Sequence, residues 1–288
     1  MNILVIGGTG LIGQHITSAL LEVGHRVTIG TRGQGQDNFG DKVERLVLDR
    51  QNPENLKDVL GNLTFDVVYD TQAYTSNDVK YLLDAITPSK YIQISTITCY
   101  FPNLKDGLKE EDFDPKAYPL RWLNRKDDNY GEIKRQAECA IYQQFPHVLS
   151  ISVRFPFIVG TDDITRRLHF YVEKVIQNQP LFVNNPTEKL SFIQSHEAGD
   201  FMAWLADQNI NGPVNASAIG TLSVGEILAY IQSKTGIAPI LSETGAPAPY
   251  NNVGQFSLDL SKTSYPFSHL QGWIFDLLDH LIEEASHD

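Results

Sequence analysis

A glycine-rich turn near the start of the chain restricts its fold more than any other feature. The apolar run Asn2–Ile6 is followed at once by Gly7-Gly8-Thr9-Gly10-Leu11-Ile12-Gly13, and an amphipathic helical pattern covers Leu11–Val23. Glycines at positions 7, 10 and 13 allow a tight turn and a close approach between the strand and the helix. The sequence therefore predicts a strand–turn–helix unit that opens a parallel sheet.

Short apolar runs alternate with helical patterns through the first 155 residues, which is typical of a parallel sheet with crossover helices. The further predicted strands are Arg26–Ile29, Val43–Val47, Asp66–Tyr69, Tyr91–Ser95 and Val148–Val153. The other predicted helices are Pro53–Leu60, Asn77–Ala85, Tyr130–Gln144, Arg166–Gln177, Glu197–Ala206, Ser223–Thr235 and Asp276–Ala285. We predict an α/β protein: a Rossmann-like, doubly wound parallel sheet in residues 1–155, and a smaller C-terminal substrate lobe in 156–288 that returns late to the sheet.

The composition argues against several classes of protein. Hydrophobic residues make up 42% of the 288 positions, so we expect a large core, and no apolar run reaches the ~18–20 residues of a membrane span. The formal net charge of −12 argues against nucleic-acid binding, because an acidic surface repels phosphate backbones. The eight histidines and two cysteines show no metal-ligand spacing and no disulfide framework, so we expect no metal and a cytoplasmic location.

The glycine turn also predicts a binding site for a dinucleotide, because the N–H groups and positive dipole at the start of a helix receive a diphosphate. The turn residues assigned to the cofactor are Gly7, Thr9, Gly10, Leu11, Ile12 and Gly13. The second strand leads into Thr31-Arg32, where NAD-binding proteins usually carry an acidic residue. Because a guanidinium can pair with a 2′-phosphate, NADP(H) is favoured over NAD(H). Gln72 is a further cofactor candidate, and Asp49 either reaches the adenine or only begins a loop.

Two tyrosine–lysine pairs have the four-residue spacing that places both side chains on one face of a helix: Tyr130/Lys134 and Tyr230/Lys234. A neighbouring ammonium, together with an oxidised nicotinamide, favours the phenolate that a tyrosine base requires. The first pair follows the strand that ends in Ser95-Thr96, and ligands bind at the carboxyl ends of such strands. We therefore assign catalysis to Tyr130 and Lys134, and we expect Tyr230 to pack in the core.

Three further parts of the sequence join the glycine turn in a family pattern. They are Ile94–Tyr100, the Tyr130/Lys134 pair and Arg154–Gly160. Together they resemble the extended short-chain dehydrogenase/reductase family, and within it the epimerase/dehydratase branch that includes nucleotide-sugar epimerases. The resemblance extends over essentially the whole chain, including Ser191–Asp200 and Gly212–Ala216.

The resemblance implies a role for each matching residue. Thr96 would orient the substrate alcohol, Tyr130 would be the acid/base, and Lys134 would be its electrostatic partner. It also implies that a homodimer can form through Tyr130–Gln144. Dehydratases of this branch carry an Asp-Glu pair after the threonine, whereas Ile97-Thr98 stand here, so we set dehydration aside.

The substrate is expected to be a small molecule, and the resemblance suggests a nucleotide sugar. From residue 186 onward the only lysines or arginines are Lys189, Lys234 and Lys262. Arg166 and Arg167 are therefore the candidates for binding the substrate's phosphates, and their alternative is a solvated place on a helix. The residues do not choose between an epimerase and a reductase.

A second class of function is a non-catalytic NADP-binding sensor or an RNA-associated protein, as in chloroplast RNA-binding members of the branch. Thr31-Arg32-Gly33 and Asp70–Thr75 look closer to those members than to sugar epimerases. The segment Leu120–Asn129 is also longer and more charged than is usual in the family. The acidic net charge opposes the RNA alternative.

Overall fold

Residues 1–287, which a computed structural model describes, form two structural units. The first unit contains residues 1–102, 110–155 and 196–216, and the second contains 103–109, 156–195 and the chain from 217 onward. Our sequence analysis placed one boundary between 155 and 156. The structure assigns residues 196–216 to the first unit, because a strand in this segment pairs with its sheet.

The strands and helices have the following bounds. The strands are β1 (Asn2–Ile6), β2 (Arg26–Thr31), β3 (Val43–Val47), β4 (Val67–Asp70), β5 (Lys90–Thr96), β6 (Leu149–Phe155), β7 (Phe157–Val159), β8 (Leu181–Phe182), β9 (Lys189–Leu190), β10 (Phe192–Gln194), β11 (Gly212–Asn215), β12 (Leu222–Ser223) and β13 (Ala246–Pro247). The α-helices are α1 (Leu11–Glu22), α2 (Pro53–Leu60), α3 (Ser76–Ala85), α4 (Tyr130–Gln144), α5 (Arg167–Ile176), α6 (Ser195–Trp204), α7 (Val224–Thr235) and α8 (Ile274–His287).

A seven-stranded parallel sheet organises the first unit, in the order β11-β6-β5-β4-β1-β2-β3. The chain reverses its direction across the sheet between β1 and β4, so the connections after these two strands diverge at their carboxyl ends. Such a switch point leaves a crevice in which ligands bind. The predicted Rossmann-like, doubly wound sheet is therefore confirmed.

One hydrophobic cluster of this unit lies between the sheet and α2, α3 and α4. Leu4 and Val68 from the sheet pack with Val79 of α3 and Ile141 of α4, and all four are fully buried. Capping residues fix where the helices start: Asn52 accepts hydrogen bonds at the start of α2, so this helix has the predicted bounds. No helix within residues 1–287 has both the length and the apolar composition that crossing a membrane requires.

Residues 113–124, which we call the cover segment, lie along the outer face of α4. Gln136 and Gln143 of the helix donate to the main-chain oxygens of Pro119 and Pro115 at 3.0 and 2.7 Å. The Tyr118 hydroxyl donates to the Glu132 carboxylate at 3.0 Å. Ten of the fifteen α4 residues are buried. The helix face that we assigned to a homodimer is thus covered by the chain itself, and the homodimer stays a prediction.

The second unit contains three two-stranded pairings, β7 with β10, β9 with β12 and β8 with β13. The sequence analysis predicted none of them, because strands of two or three residues are too short to show an alternating pattern. Its helices α5 and α8 lie side by side, as do α5 and α7. The four helices predicted after Pro156 are present, with bounds that differ by at most two residues at each end.

Candidate active site

A cavity of about 470 Å³ opens at the carboxyl ends of β1, β2 and β3 in the first unit. The predicted cofactor residues that line it are Gly7, Thr9, Gly10, Thr31, Arg32, Asp49 and Gln72. The cavity includes the glycine turn, as the sequence analysis predicts for a dinucleotide, and it lies where the sheet order reverses. Leu11, Ile12 and Gly13 form the first turn of α1 beside it rather than its wall.

The glycines of the glycine turn differ in whether the fold leaves room for a side chain. Gly7 has a φ of +80°, and a Cβ on Gly13 would lie 2.1 Å from the Gly7 oxygen, so the fold itself requires these two glycines. A Cβ on Gly10 would lie 3.4 Å from that same oxygen, an ordinary contact. Packing therefore does not exclude a side chain at Gly10, a residue that lines the cavity, as it does at Gly13.

The N-terminus of α1 is suited to binding a diphosphate. Gln14 donates the first intrahelical hydrogen bond, to the Gly10 oxygen at 2.8 Å. The N–H groups of Leu11, Ile12 and Gly13 come before it and therefore have no acceptor within the helix. The first turn of α1 contains no acidic residue. The positive end of the helix dipole at the cavity is therefore not neutralised by its own helix.

Arg32 follows directly after β2 and lines the cavity. Thr31 shapes the turn, because its hydroxyl oxygen accepts a hydrogen bond from the Gly33 N–H at 3.1 Å. Across residues 1–287, no side chain forms an ion pair with Arg32, so its charge faces the cavity uncompensated. Asp49 shapes a loop, since its carboxylate accepts from the Gln51 N–H at 3.0 Å, and it lines the cavity as well.

Tyr130 and Lys134 lie one turn apart at the start of α4. The Asn129 side chain accepts from the Glu132 N–H at 3.1 Å, which fixes Tyr130 as the first residue of the helix. Tyr130 is 48% exposed, whereas Lys134 is only 4% exposed. The Lys134 ammonium donates to the main-chain oxygens of Ala73 and Ile94 at 2.7 and 2.5 Å, which places it at the carboxyl ends of β4 and β5.

Burial determines the charge state of Lys134. Desolvation lowers the pKa of its ammonium to about 8, and the carboxylates of Asp70, Glu138 and Asp78 oppose that change without cancelling it. The ammonium also lies 5.4 Å from the centre of the Tyr74 ring, which in turn packs edge-on against the ring of Tyr130 at 6.3 Å. At neutral pH the site therefore holds a buried positive charge next to an accessible phenol.

Thr96 ends β5 at the same edge of the sheet. Its hydroxyl oxygen accepts from the Thr98 N–H at 3.2 Å and begins a short 3-10 turn, Ile97–Tyr100. A Cβ on Gly131 would lie 3.2 Å from the Thr98 oxygen, so the first turn of α4 packs directly on this 3-10 turn. Thr96 and Lys134 thus lie at neighbouring strand ends, and Tyr130 lies one helical turn before Lys134, whereas none of the three lines the cavity.

Comparisons with known proteins agree with this architecture. The model of the "NAD dependent epimerase/dehydratase family" matches residues 3–216. The chain belongs to this family. The match covers the whole sheet, the glycine turn and the Tyr130/Lys134 pair, and it confirms the family resemblance that the sequence motifs suggested.

Solved structures of epimerases share the fold of this family member. The UDP-glucose 4-epimerase of Thermus thermophilus, in complex with NAD, is 18% identical, with a TM-score of 0.71 over 98% of this chain and 99% of that one. The UDP-glucuronic acid 4-epimerase of Bacillus cereus, in complex with UDP-glucuronic acid and NAD, is 21% identical, with a TM-score of 0.71 over 100% and 99%. A putative epimerase from Burkholderia cenocepacia is 16% identical, with a TM-score of 0.75 over 98% of both chains.

One curated protein is similar in sequence. The "chloroplast stem-loop binding protein of 41 kDa b" of Arabidopsis thaliana is 32% identical over 130 residues, which are 40% of this chain and 34% of that protein. The chain thus matches about a third of the length of this relative. The solved structures, at their low identities, establish the fold alone.

A buried ion pair joins β6 to α4 in this epimerase/dehydratase-family chain, and our sequence analysis missed it. Arg154 donates to the Glu138 carboxylate at 2.5 Å, and both side chains are completely buried. The same carboxylate accepts from the Ser95 hydroxyl at 2.5 Å. Glu138 follows Lys134 by four residues, so the helical spacing places it on the same face as Tyr130 and Lys134. Burial raises the pKa of the neighbouring Cys99 thiol to about 12, so this thiol is neutral at physiological pH.

Two arginines of the cavity wall also escaped the sequence analysis. Arg50 is buried and pairs with the carboxylates of Asp70 and, at 2.9 Å, Asp78. Arg125 lines the cavity from the charged segment before α4, with its guanidinium 4.2 Å from the centre of the Tyr74 ring. The unusual length and charge of Leu120–Asn129 was the only sequence signal for Arg125. No local sequence pattern indicated Arg50 or the contact between Arg125 and Tyr74.

The other predicted positions lie in the second unit. The Tyr230 hydroxyl and the Lys234 ammonium both donate to Asp279, at 2.8 and 2.6 Å, so this pair ties α7 to α8. Arg166 pairs with Glu173 at 2.5 Å and is half-exposed, while Arg167 lies 5.9 Å from the Phe157 ring. Within residues 1–287, no three His, Cys, Asp or Glu side chains come together as metal ligands would.

Proposed function

We propose that the protein is an NAD(P)-dependent oxidoreductase or epimerase that acts on an alcohol or ketone carbon of a small molecule. The observation that carries this proposal is the placement of Tyr130. Its accessible phenol lies one helical turn before Lys134, whose buried ammonium is bound at the carboxyl ends of β4 and β5. An exposed acid/base next to a fixed positive charge is the arrangement that proton transfer at a substrate oxygen requires.

Each catalytic residue has a defined task in this proposal. Thr96 donates a hydrogen bond to the substrate oxygen and orients it. Tyr130 removes the proton from the alcohol oxygen as the carbonyl forms, and it returns a proton to that oxygen in the reverse direction. Lys134, held by the Ala73 and Ile94 oxygens, stabilises the phenolate. The nicotinamide, when bound, accepts and supplies the hydride.

The cofactor we propose is NADP(H) in preference to NAD(H). The family is described as NAD dependent, and the glycine turn with the N-terminus of α1 suits the diphosphate that both dinucleotides share. The preference rests on Arg32, an uncompensated guanidinium at the end of β2 where NAD-binding proteins place a carboxylate. In titrations of nicotinamide fluorescence we expect Arg32→Ala to weaken NADPH binding while NADH binding is unchanged.

The proposed substrate class is a nucleotide sugar, because the fold is shared with enzymes that act on UDP-glucose and UDP-glucuronic acid. Arg167 is the better candidate for a substrate phosphate, since Arg166 already pairs with Glu173. An epimerase and a reductase share the Tyr130 steps. They differ in whether the ketone is reduced again before it leaves.

The test is turnover by the purified protein with NADP or NAD and a panel of UDP-sugars, followed by NMR of the sugar protons. We expect Tyr130→Phe to lower kcat by at least about 10²-fold, the usual contribution of an acid/base. The matched control is Tyr230→Phe, which removes the hydroxyl of the other Tyr/Lys pair and should leave kcat unchanged. Full turnover by Tyr130→Phe would exclude the proposed mechanism.

The similarity to a stem-loop binding protein favours a second candidate, an RNA-associated function. The formal net charge of −12 opposes it, because affinity for RNA depends on positive charge that displaces counterions. A stem-loop RNA is titrated at 50 and 200 mM salt. We expect weak binding that does not change with salt, whereas tight binding that falls steeply with salt would support the RNA function.

A further inference from the structure

The arginines of the cavity wall differ in how many N–H donors they keep for a ligand. The cavity wall contains three guanidinium groups, those of Arg32, Arg50 and Arg125. Two carboxylates pair closely with Arg50, so its charge is neutralised within the protein. Arg125 lies 3.8 Å from Asp78, a carboxylate that Arg50 already engages at 2.9 Å. Arg32 forms no ion pair among residues 1–287, and Arg125 contacts Asp78 only at 3.8 Å, so these two guanidinium groups keep N–H donors for a ligand.

Arg125 is held in a defined position beside the glycine turn. Its guanidinium stacks on Tyr74 at 4.2 Å, and its Nη2 donates to the Gln72 oxygen at 3.3 Å. Gln72 borders the turn closely, since its Nε2 would be 3.9 Å from a Cβ on Gly10 and 3.1 Å from one on Gly7. The single hydrogen bond to Gln72 leaves four of the five guanidinium N–H donors for other partners.

We propose that Arg125 binds the diphosphate of the dinucleotide and acts together with the N-terminus of α1. This inference rests on the proposed function, because it assumes that a nicotinamide dinucleotide occupies the cavity. A diphosphate carries two negative charges, and a planar guanidinium binds phosphate oxygens in a bidentate manner. Arg125 therefore recognises what NADPH and NADH share, while Arg32 recognises the 2′-phosphate that distinguishes them.

This division of labour gives a differential test with the full-length protein. The dissociation constants of NADPH, NADH and 2′-AMP, which lacks the diphosphate, are measured by calorimetry for the wild type, Arg125→Ala and Arg32→Ala. We expect Arg125→Ala to weaken NADPH and NADH alike by about tenfold or more, as for the loss of a charge-assisted hydrogen bond. It should leave 2′-AMP binding unchanged, whereas Arg32→Ala should weaken NADPH and 2′-AMP but not NADH.

Lys126→Ala is the matched control, because it removes the neighbouring exposed positive charge that does not line the cavity. Wild-type affinities for both dinucleotides in Arg125→Ala would overturn this inference and leave the proposed function standing. An equal loss for 2′-AMP would also overturn it, since a ligand without a diphosphate cannot report that contact. If the wild-type protein binds neither dinucleotide, the proposed function fails and this inference fails with it.

Discussion

Replacing Lys134 with methionine should change how the stability of the protein depends on pH. Lys134 is buried, and desolvation lowers the pKa of its ammonium from 10.5 to about 8. The folded protein therefore binds this proton more weakly than the unfolded chain does. The carboxylates of Asp70, Glu138 and Asp78 favour the ammonium, and Cys99 would do so only as a thiolate. The pKa of Cys99 is about 12, so this thiol stays neutral throughout the range of interest.

The size of the effect follows from the two pKa values. Lowering the pKa by about 2.5 corresponds to a cost of about 3 kcal/mol at neutral pH, at ~1.4 kcal/mol for each pKa unit. This cost is fully present below the folded pKa and disappears as the pH rises above the unfolded pKa. Between pH 7 and pH 9.5, the wild-type protein should therefore gain about 2 kcal/mol of unfolding free energy relative to Lys134→Met.

The assay is urea unfolding of both proteins at several pH values in this interval. All other groups are common to the two proteins, so the difference between their unfolding free energies isolates residue 134. Lys234→Met is the matched control: the exposed Lys234 pairs with Asp279, which raises its pKa, so it stays protonated in both states over most of this range. A difference between wild type and Lys134→Met that is flat with pH would refute our account of the buried ammonium.

Three further predictions concern the turn and the buried polar groups. Gly10→Ala should change the unfolding free energy by less than ~1 kcal/mol and weaken NADPH binding. Gly13→Ala should destabilise the protein by about 1–3 kcal/mol, since its Cβ would lie 2.1 Å from a main-chain oxygen of the turn. Equal unfolding free energies of the two variants would contradict this. Glu138→Leu leaves the buried charge of Arg154 unpaired and should cost about 3–5 kcal/mol in urea unfolding, and a loss below ~1 kcal/mol would show that the pair is dispensable. Lys90→Met removes the donor to three main-chain oxygens that follow α6 and should lower Tm by at least ~2 °C in a thermal scan, while an unchanged Tm would count against these hydrogen bonds.

The parts of the fold that are determined locally were predictable from the sequence. The strand–turn–helix unit, α2 and α4 have the predicted bounds to within one residue, because periodicity and capping residues act over short distances. Helix α3 begins at Ser76, one residue earlier than predicted, because the Thr75 hydroxyl and the Asp78 carboxylate cap it reciprocally.

The side-chain partners at the site were not predictable in the same way. Arg125 meets the Gln72 oxygen across 53 residues of chain, and Arg154 meets Glu138 from a strand beneath the helix. Such contacts depend on which strand ends the sheet places side by side, and no local pattern encodes that. The second unit shows the same limit, since its two-stranded pairings join segments too short to carry a period.

The cover segment has a thermodynamic consequence for α4, the helix that carries Tyr130 and Lys134. Its bonds to Glu132, Gln136 and Gln143 join parts of one molecule, so their effective concentration is set by the tether and not by the amount of protein in solution. Dilution therefore cannot separate the cover segment from α4. The outer face of α4 is therefore buried to the same extent at every concentration of the protein.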